Sequence, residues 1–157
     1  MSTNNGVIKT DVQFSVFLAN KPGILAQLCR QLASQKINIT AMCLMDSTEH
    51  GVLRLVTGEA DRARKVFRDL NLSMTESRVL LVTLPNRPGA LSDVVERLAS
   101  SHISVNYAYV TTGAPGGKTV GILQVSDPAK ADKVLTERAA RRKSDMRNLR
   151  ASHASRR

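Results

Sequence analysis

Two short stretches of this 157-residue chain carry the same residue types in the same order. The first is Asn20, Lys21, Pro22, Gly23, Ile24 and Leu25, and the second is Asn86, Arg87, Pro88, Gly89, Ala90 and Leu91. Each follows an alternating apolar run and precedes a run with helical spacing, so each marks a strand-to-helix junction. A helix start presents unpaired backbone N–H groups and the positive end of the helix dipole, which together favour an anion such as a carboxylate. Glycine lets a ligand approach the backbone closely, and the asparagine amide offers both donors and an acceptor, suited to a carboxylate beside an amino group. The same residues also read as a purely structural helix start. Asn is a good cap, Pro suits the first turn, and Leu25 or Leu91 enters the core. Repetition does not decide between the readings, because a duplication copies caps as faithfully as sites.

No other constellation competes for catalytic chemistry. His50, His102 and His153 share no metal-ligand spacing with one another or with Cys29 and Cys43. Both cysteines fall in apolar patterns without Cys-x-x-Cys spacing and read as free, buried thiols. No Ser lies in Gly-x-Ser-x-Gly. The stretch GAPGGKT is one residue short of a phosphate-binding loop and joins two strands, so it reads as a hairpin loop. Acidic residues fall mainly on helices beside Lys or Arg, as in EADRARK. Neither enzymatic activity nor a metal or cofactor is expected.

The elements that hold the two junctions repeat as well. NKPGILAQLCRQLASQKINITAMCL matches NRPGALSDVVERLASSHISVNYAYV at an offset of 66, which becomes 68 by Val66 and Val134. The two extra residues fit in TTGAPGGK, between two strands, where loops tolerate insertion. In each copy the periodicity predicts a strand, a helix, a hairpin of two strands and a second helix. The first helix is expected from about Pro22 to Gln35, and the last helix opens with Asp127 as cap and Pro128 in its first position. LSMTESRV closes the first copy as a fourth strand and runs directly into LLVTLPN, the first strand of the second. The fold class is α+β: two ferredoxin-like βαββαβ units, antiparallel sheets with helices on one face. The expected division is a flexible N-terminus at 1–10, a first unit at 11–77, a second at 78–136 and a basic tail, disordered or partly helical, at 137–157. After KADKVL the chain offers almost no β-formers, so the second unit either lacks its last strand or has that strand replaced by another element.

A first strand ending in Asn, then x-Pro-Gly-x-Leu, a helix and a second strand opening Ile-Asn-Ile resembles the ACT domain. Here the phrases are NKPGIL…INI at Asn20 to Ile39 and NRPGAL…ISV at Asn86 to Val105, and the resemblance spans about Val12 to Leu135. It implies a tandem pair of a family whose members bind amino acids and regulate metabolic enzymes or transcription, often at interfaces between ACT units. A ligand would then sit between a repeated loop and a second wall at the start of a neighbouring unit's second strand: Asn38, Ile39 and Thr40, or Val105, Asn106 and Tyr107. Small units and open strand edges add the expectation of a homodimer, with a biosynthetic enzyme as a further partner.

Composition sets the remaining bounds. Aromatic residues make up 3% of the chain and Trp is absent, so the core must be aliphatic. No apolar run approaches the ~20 residues of a membrane span, and the first residues lack the apolar segment of a secretory signal. A cytoplasmic location follows as the expectation. Of the net charge of +10, residues 136–157 carry +6, with eight basic residues against Glu137 and Asp145. Such a tail can neutralise phosphates. It has no aromatic stacking partners and no helix-turn-helix or zinc motif accompanies it, so nucleic acid ranks last among expected partners and a solvated extension is preferred.

Overall fold

A computed structural model describes residues 8–45, 50–111 and 118–137. The elements in chain order are β1 (Ile8–Ala19), α1 (Ile24–Ser34), β2 (Ile39–Met45), β3 (His50–Thr57), α2 (Ala60–Asp69), β4 (Met74–Pro85), α3 (Ala90–Ser100), β5 (Val105–Thr111) and β6 (Lys118–Val125). Residues 128–137 form a further helix, α4. Asp127 caps it, its Oδ1 accepting the Lys130 amide at 2.9 Å, as the Asp-Pro pair predicts. The glycine-rich loop at 112–117, the tail beyond 137 with His153, and residues 1–7 lie outside the described residues.

The chain divides into two compact units. One holds residues 11–79, with strand order β2-β3-β1-β4. Of the described residues, the other holds those from Leu80 onward together with residues 8–10, with order β1-β4-β6-β5. Both β1 and β4 are 12 residues long and each contributes residues to both units. Residues 8–10, expected in a flexible N-terminus, are therefore strand. They occupy the place beside β4 that a closing strand of the C-terminal unit would take, and Ile8 packs on that unit's core. The element that replaces the missing strand comes from the opposite end of the sequence.

The two cores are built from equivalent positions. Phe14, Val16, Leu18, Leu28, Leu32, Ile37, Leu55, Ala63 and Phe67 are buried in the N-terminal unit. Their counterparts Leu80, Val82, Leu84, Val94, Leu98, Ile103, Leu123, Ala131 and Leu135 are buried in the C-terminal one. Alternate residues of the strands and one stripe of each helix meet, so the periodicities that predict the elements also predict the core. Phe14 and Phe67 meet edge-to-face with ring centroids 5.1 Å apart, an arrangement worth about 0.5–1.5 kcal/mol beyond area burial. Arg64 ties α2 to the first half of β4. Its Nε and Nη2 donate to the two carboxylate oxygens of Glu76 at 2.6 and 2.8 Å. This pairing holds the Glu76 carboxyl below its ordinary value and raises the Arg64 guanidinium.

Three helices end alike. The Lys36 amide donates to Ala33 O and the Ile37 amide to Leu32 O, at 2.8 and 2.9 Å, with Lys36 at φ 55°. Asn71 with Leu72, and His102 with Ile103, repeat this paired closure, which satisfies the last carbonyls; the following apolar residue is buried at Ile37 and Ile103 and partly buried at Leu72. His102 thus serves the end of α3. His50 is the first residue of β3 rather than part of a turn. Cys29 and Cys43 are free thiols but half-buried, less enclosed than their apolar surroundings in sequence suggest.

Candidate functional site

The repeated phrase folds into two consecutive tight turns in both copies. The Lys21 amide donates to Ala19 O at 2.8 Å, a three-residue turn centred on Asn20. The Ile24 amide then donates to Lys21 O at 3.4 Å across Pro22 and Gly23, and Gly23 has φ 90° and ψ −18°. Pro at the second position and a positive-φ residue at the third define a type II turn. In the second copy Arg87 bonds Pro85 O at 2.9 Å, Ala90 bonds Arg87 O at 3.3 Å, and Gly89 has φ 81° and ψ −10°. Pro22 and Pro88 therefore precede the helix rather than opening it, and α1 begins at Ile24. The helix caps are Gly23 and Gly89, which have no side chain to accept the first amides. Asn20 stands three residues before the cap, so the capping reading of that residue is not what the fold uses.

A cavity of about 310 Å³ opens at this junction in the N-terminal unit. Its lining comes from the end of β1 (Leu18, Ala19), the turn and helix start (Asn20, Lys21, Ile24, Leu25), and the β2–β3 hairpin (Leu44, Met45, Gly51). Pro22 and Gly23 shape the turn without lining the cavity. A Cβ built on Gly23 meets nothing within 4 Å, so within the protein it is the positive φ rather than crowding that calls for glycine here.

The proposed second walls lie elsewhere within each unit. Ala19 pairs with His50 of β3, whereas Ile39 pairs with Thr57, seven residues along the same strand. That separation is about 24 Å at the ordinary rise of a strand. Asn38, Ile39 and Thr40 are thus at the opposite end of the sheet from Asn20. The second copy repeats this: Pro85 pairs with Lys118 and Val105 with Val125. The Asn106 side-chain amide is engaged by Gln124, donating to Oε1 at 2.6 Å. The wall that sequence reasoning missed is the far end of β2, Leu44 and Met45. Its signal was the hairpin itself, because antiparallel pairing returns the end of β2, not its start, to the level of the β1–α1 turn.

The copies differ in charge and polarity at the junction. In the second, Arg87 pairs with Asp93 at 3.4 Å, and Asp93 lies in the first turn of α3. The equivalent positions in the first are Lys21 and Gln27, and α1 has no acidic residue in its first turn. Where Gly51 lines the first cavity, the second copy carries Thr119, 7% exposed, whose hydroxyl is buried without a hydrogen-bond partner. Among the described residues no group of three or more His, Cys, Asp or Glu side chains could hold a metal ion. No helix among them is long and apolar enough to cross a membrane.

Comparison with known families decides what this duplicated junction belongs to. The family model described as an ACT domain pair matches residues 9–148, nearly the whole chain. This chain is a member of the ACT domain family. Its match begins at Lys9, inside the strand segment that completes the C-terminal unit. Among solved structures the ACT pair is similar to protein BT0572 of Bacteroides thetaiotaomicron, at 28% identity and a TM-score of 0.75 over 86% of this chain and 91% of that one. The regulatory subunit of aspartate kinase from Thermus thermophilus, in its ligand-free form, matches at 11% identity and a TM-score of 0.61, covering 85% and 96% of the two chains. The same subunit from Thermus flavus matches at 16% identity and a TM-score of 0.61, covering 88% and 96%. These two likenesses are of fold. No curated protein sequence matches this ACT pair significantly. ACT domains are regulatory, non-catalytic domains, so the family assigns a regulatory rather than a catalytic character to both units.

Proposed function

We propose that this ACT pair is a cytoplasmic sensor that binds a small amino acid at the β1–α1 junction of its N-terminal unit and thereby regulates amino-acid metabolism. The observation that carries the reading is the cavity itself. It brings Asn20, Lys21 and the uncapped start of α1 to one place, beside an apolar wall. A carboxylate there meets a positive side chain and free helix amides, while the Asn20 amide faces the amino group. At about 310 Å³ the cavity falls at the lower end of ligand pockets, which run about 300–1,000 Å³. Asp93 already answers the charge of Arg87 in the second copy, so the first copy is the better anion site. The remaining loop and strand residues (Asn86 to Leu91, Asn38 to Thr40, Val105 and Asn106) enter this proposal only where another ACT unit supplies the opposing wall.

The test is thermal denaturation of the full chain with each amino acid at millimolar concentration. One or more should raise the melting temperature, and Lys21→Gln should diminish the rise while Arg87→Gln leaves it intact. A flat response to every amino acid overturns the sensor.

A second reading, an assembly module that regulates a biosynthetic enzyme by association, is favoured by the edge strand β2. Its sequence ITAMCLM carries no charge, and Met42, Leu44 and Met45 are 38–50% exposed. Uncharged apolar edges invite strand pairing, and a homodimer formed through β2 is the simplest product. Met42→Lys should convert that dimer to monomer in sedimentation analysis. A parent chain that is monomeric at micromolar concentration refutes the dimer.

A further inference from the structure

The chemistry of the cavity wall goes beyond amino-acid binding in general. We propose that its ligand is a carboxylate on a short aliphatic chain, the class of valine and leucine, and that charged or hydroxylated side chains are rejected. This inference rests on the ligand-binding reading above and names the ligand of that same site.

Three observations carry it. First, among the described lining residues every side chain apart from Asn20 and Lys21 is aliphatic or a thioether: Leu18, Ile24, Leu25, Leu44 and Met45, with Ala19 between them. Among the described residues no carboxylate, hydroxyl or imidazole lines the cavity, so a second charge or a side-chain hydroxyl on the ligand gains no partner from them. Second, the one charged side chain among the described lining residues, Lys21, stands in the turn at the start of α1, so both favourable terms for an anion lie at one end. The ligand is thereby oriented, its carboxylate toward α1 and its chain toward the β2–β3 hairpin. Third, room at that far end depends on Gly51. A Cβ there would lie 3.3 Å from Leu44 Cδ1 and 3.6 Å from Met45 O, filling space the ligand's chain would occupy. The second copy has Thr119 at the equivalent position, with the added bulk and an unpartnered hydroxyl, so the aliphatic cavity belongs to the N-terminal unit.

Calorimetric titration of the full chain with a matched series tests this. Affinity should climb from alanine through valine to leucine by about fourfold per buried methylene. Valine should exceed its isostere threonine by about tenfold, the cost of burying an unpaired hydroxyl. Leucinamide, which lacks the carboxylate, should not bind. The keto acid analogue of leucine separates two sources of the same chemistry: its binding shows that the carboxylate end suffices, its failure that the amino group is also read, and either supports an aliphatic carboxylate. Leu44→Ser, at a half-exposed position compatible with folding, should weaken leucine and leave alanine unchanged, and Gly51→Ala should do the same. Threonine, lysine or aspartate binding as tightly as valine overturns the aliphatic class while leaving the sensor in place. An unchanged leucine affinity in both variants also overturns it. If no member of the series binds, this inference and the function it rests on fall together.

Discussion

Gly23 and Gly89 are the residues that sequence reasoning ties most closely to a ligand, and the turn geometry gives them a different task that can be measured. Each sits at the third position of a type II turn, at φ 90° and φ 81°. An alanine at Gly23 meets no atom within 4 Å, and at Gly89 its Cβ would lie 3.9 Å from Arg87 Nη1, an ordinary contact. Steric crowding therefore contributes nothing, and the whole cost is that of holding an L-residue in the left-handed region, about 1–2 kcal/mol. For a chain of this length each kcal/mol moves the melting temperature by about 2–4 °C, so Gly23→Ala and Gly89→Ala should each lower it by about 2–8 °C. Asparagine tolerates the left-handed region better, so Gly23→Asn should recover part of the loss. Urea unfolding of the four proteins, with unchanged slope and shifted midpoint, gives the same quantities by a second route. Because Gly23 does not line the cavity, the ligand-induced rise in melting temperature should survive in Gly23→Ala. The reasoning is refuted if alanine lies within about 0.3 kcal/mol of glycine, or if asparagine is no better than alanine, where the αL penalty requires a clear difference.

Three other perturbations address separate features. Glu76 has its carboxyl lowered by the Arg64 hydrogen bonds, so its contribution is present above the unfolded carboxyl range and is lost as pH falls through the lowered value. Glu76→Gln should flatten the acid limb of the stability–pH profile while leaving the neutral-to-alkaline limb parallel to the parent, as followed by urea midpoints. Thr119→Val removes a buried hydroxyl with no partner and should raise stability by about 1 kcal/mol, and a loss of stability would show that the hydroxyl is satisfied. Ile8→Ala should speed hydrogen exchange in α3 and β6 rather than in α1 and β3, because Ile8 packs on the C-terminal core. Equal exchange in both sets contradicts that assignment.

Periodicity made the elements and most of both cores legible, since apart from Ile37 and Ile103, which follow helix ends, the buried core positions are set by local spacing along one strand or one helix. LSMTESRV running into LLVTLPN became a single strand, as the uninterrupted β-pattern implies. The Pro-Gly pair was equally local, but type II turns and helix starts share that dipeptide, and only the hydrogen bond from Ile24 to Lys21 separates them. Two features were illegible for a non-local reason. Ile8 is in phase with Val12 and Phe14, yet Lys9, Thr10 and Asp11 dilute the signal, and no pattern in those residues names the core that Ile8 joins. The placement of Leu44 and Met45 opposite the α1 start follows from hairpin register, which depends on pairing rather than on composition. Arg87 and Lys21 look interchangeable in sequence, and their difference shows only when Asp93 is seen to pair with one of them.

The sharing of β1 and β4 between units has a consequence for how this gene product can be divided or inherited. A fragment cut at the apparent joint between repeats, near residue 78, would keep all but the last residue of the N-terminal unit. The second half would lose the strand segment that only residues 8–10 provide. The second half is not an independent cistron in waiting. During synthesis residues 8–10, which finish the C-terminal unit, must wait for their partners, some seventy residues later, to emerge. Deletions at the extreme N-terminus should therefore act as lesions of the C-terminal unit, and a fusion partner attached close to Ile8 would burden the unit that is farther away in sequence.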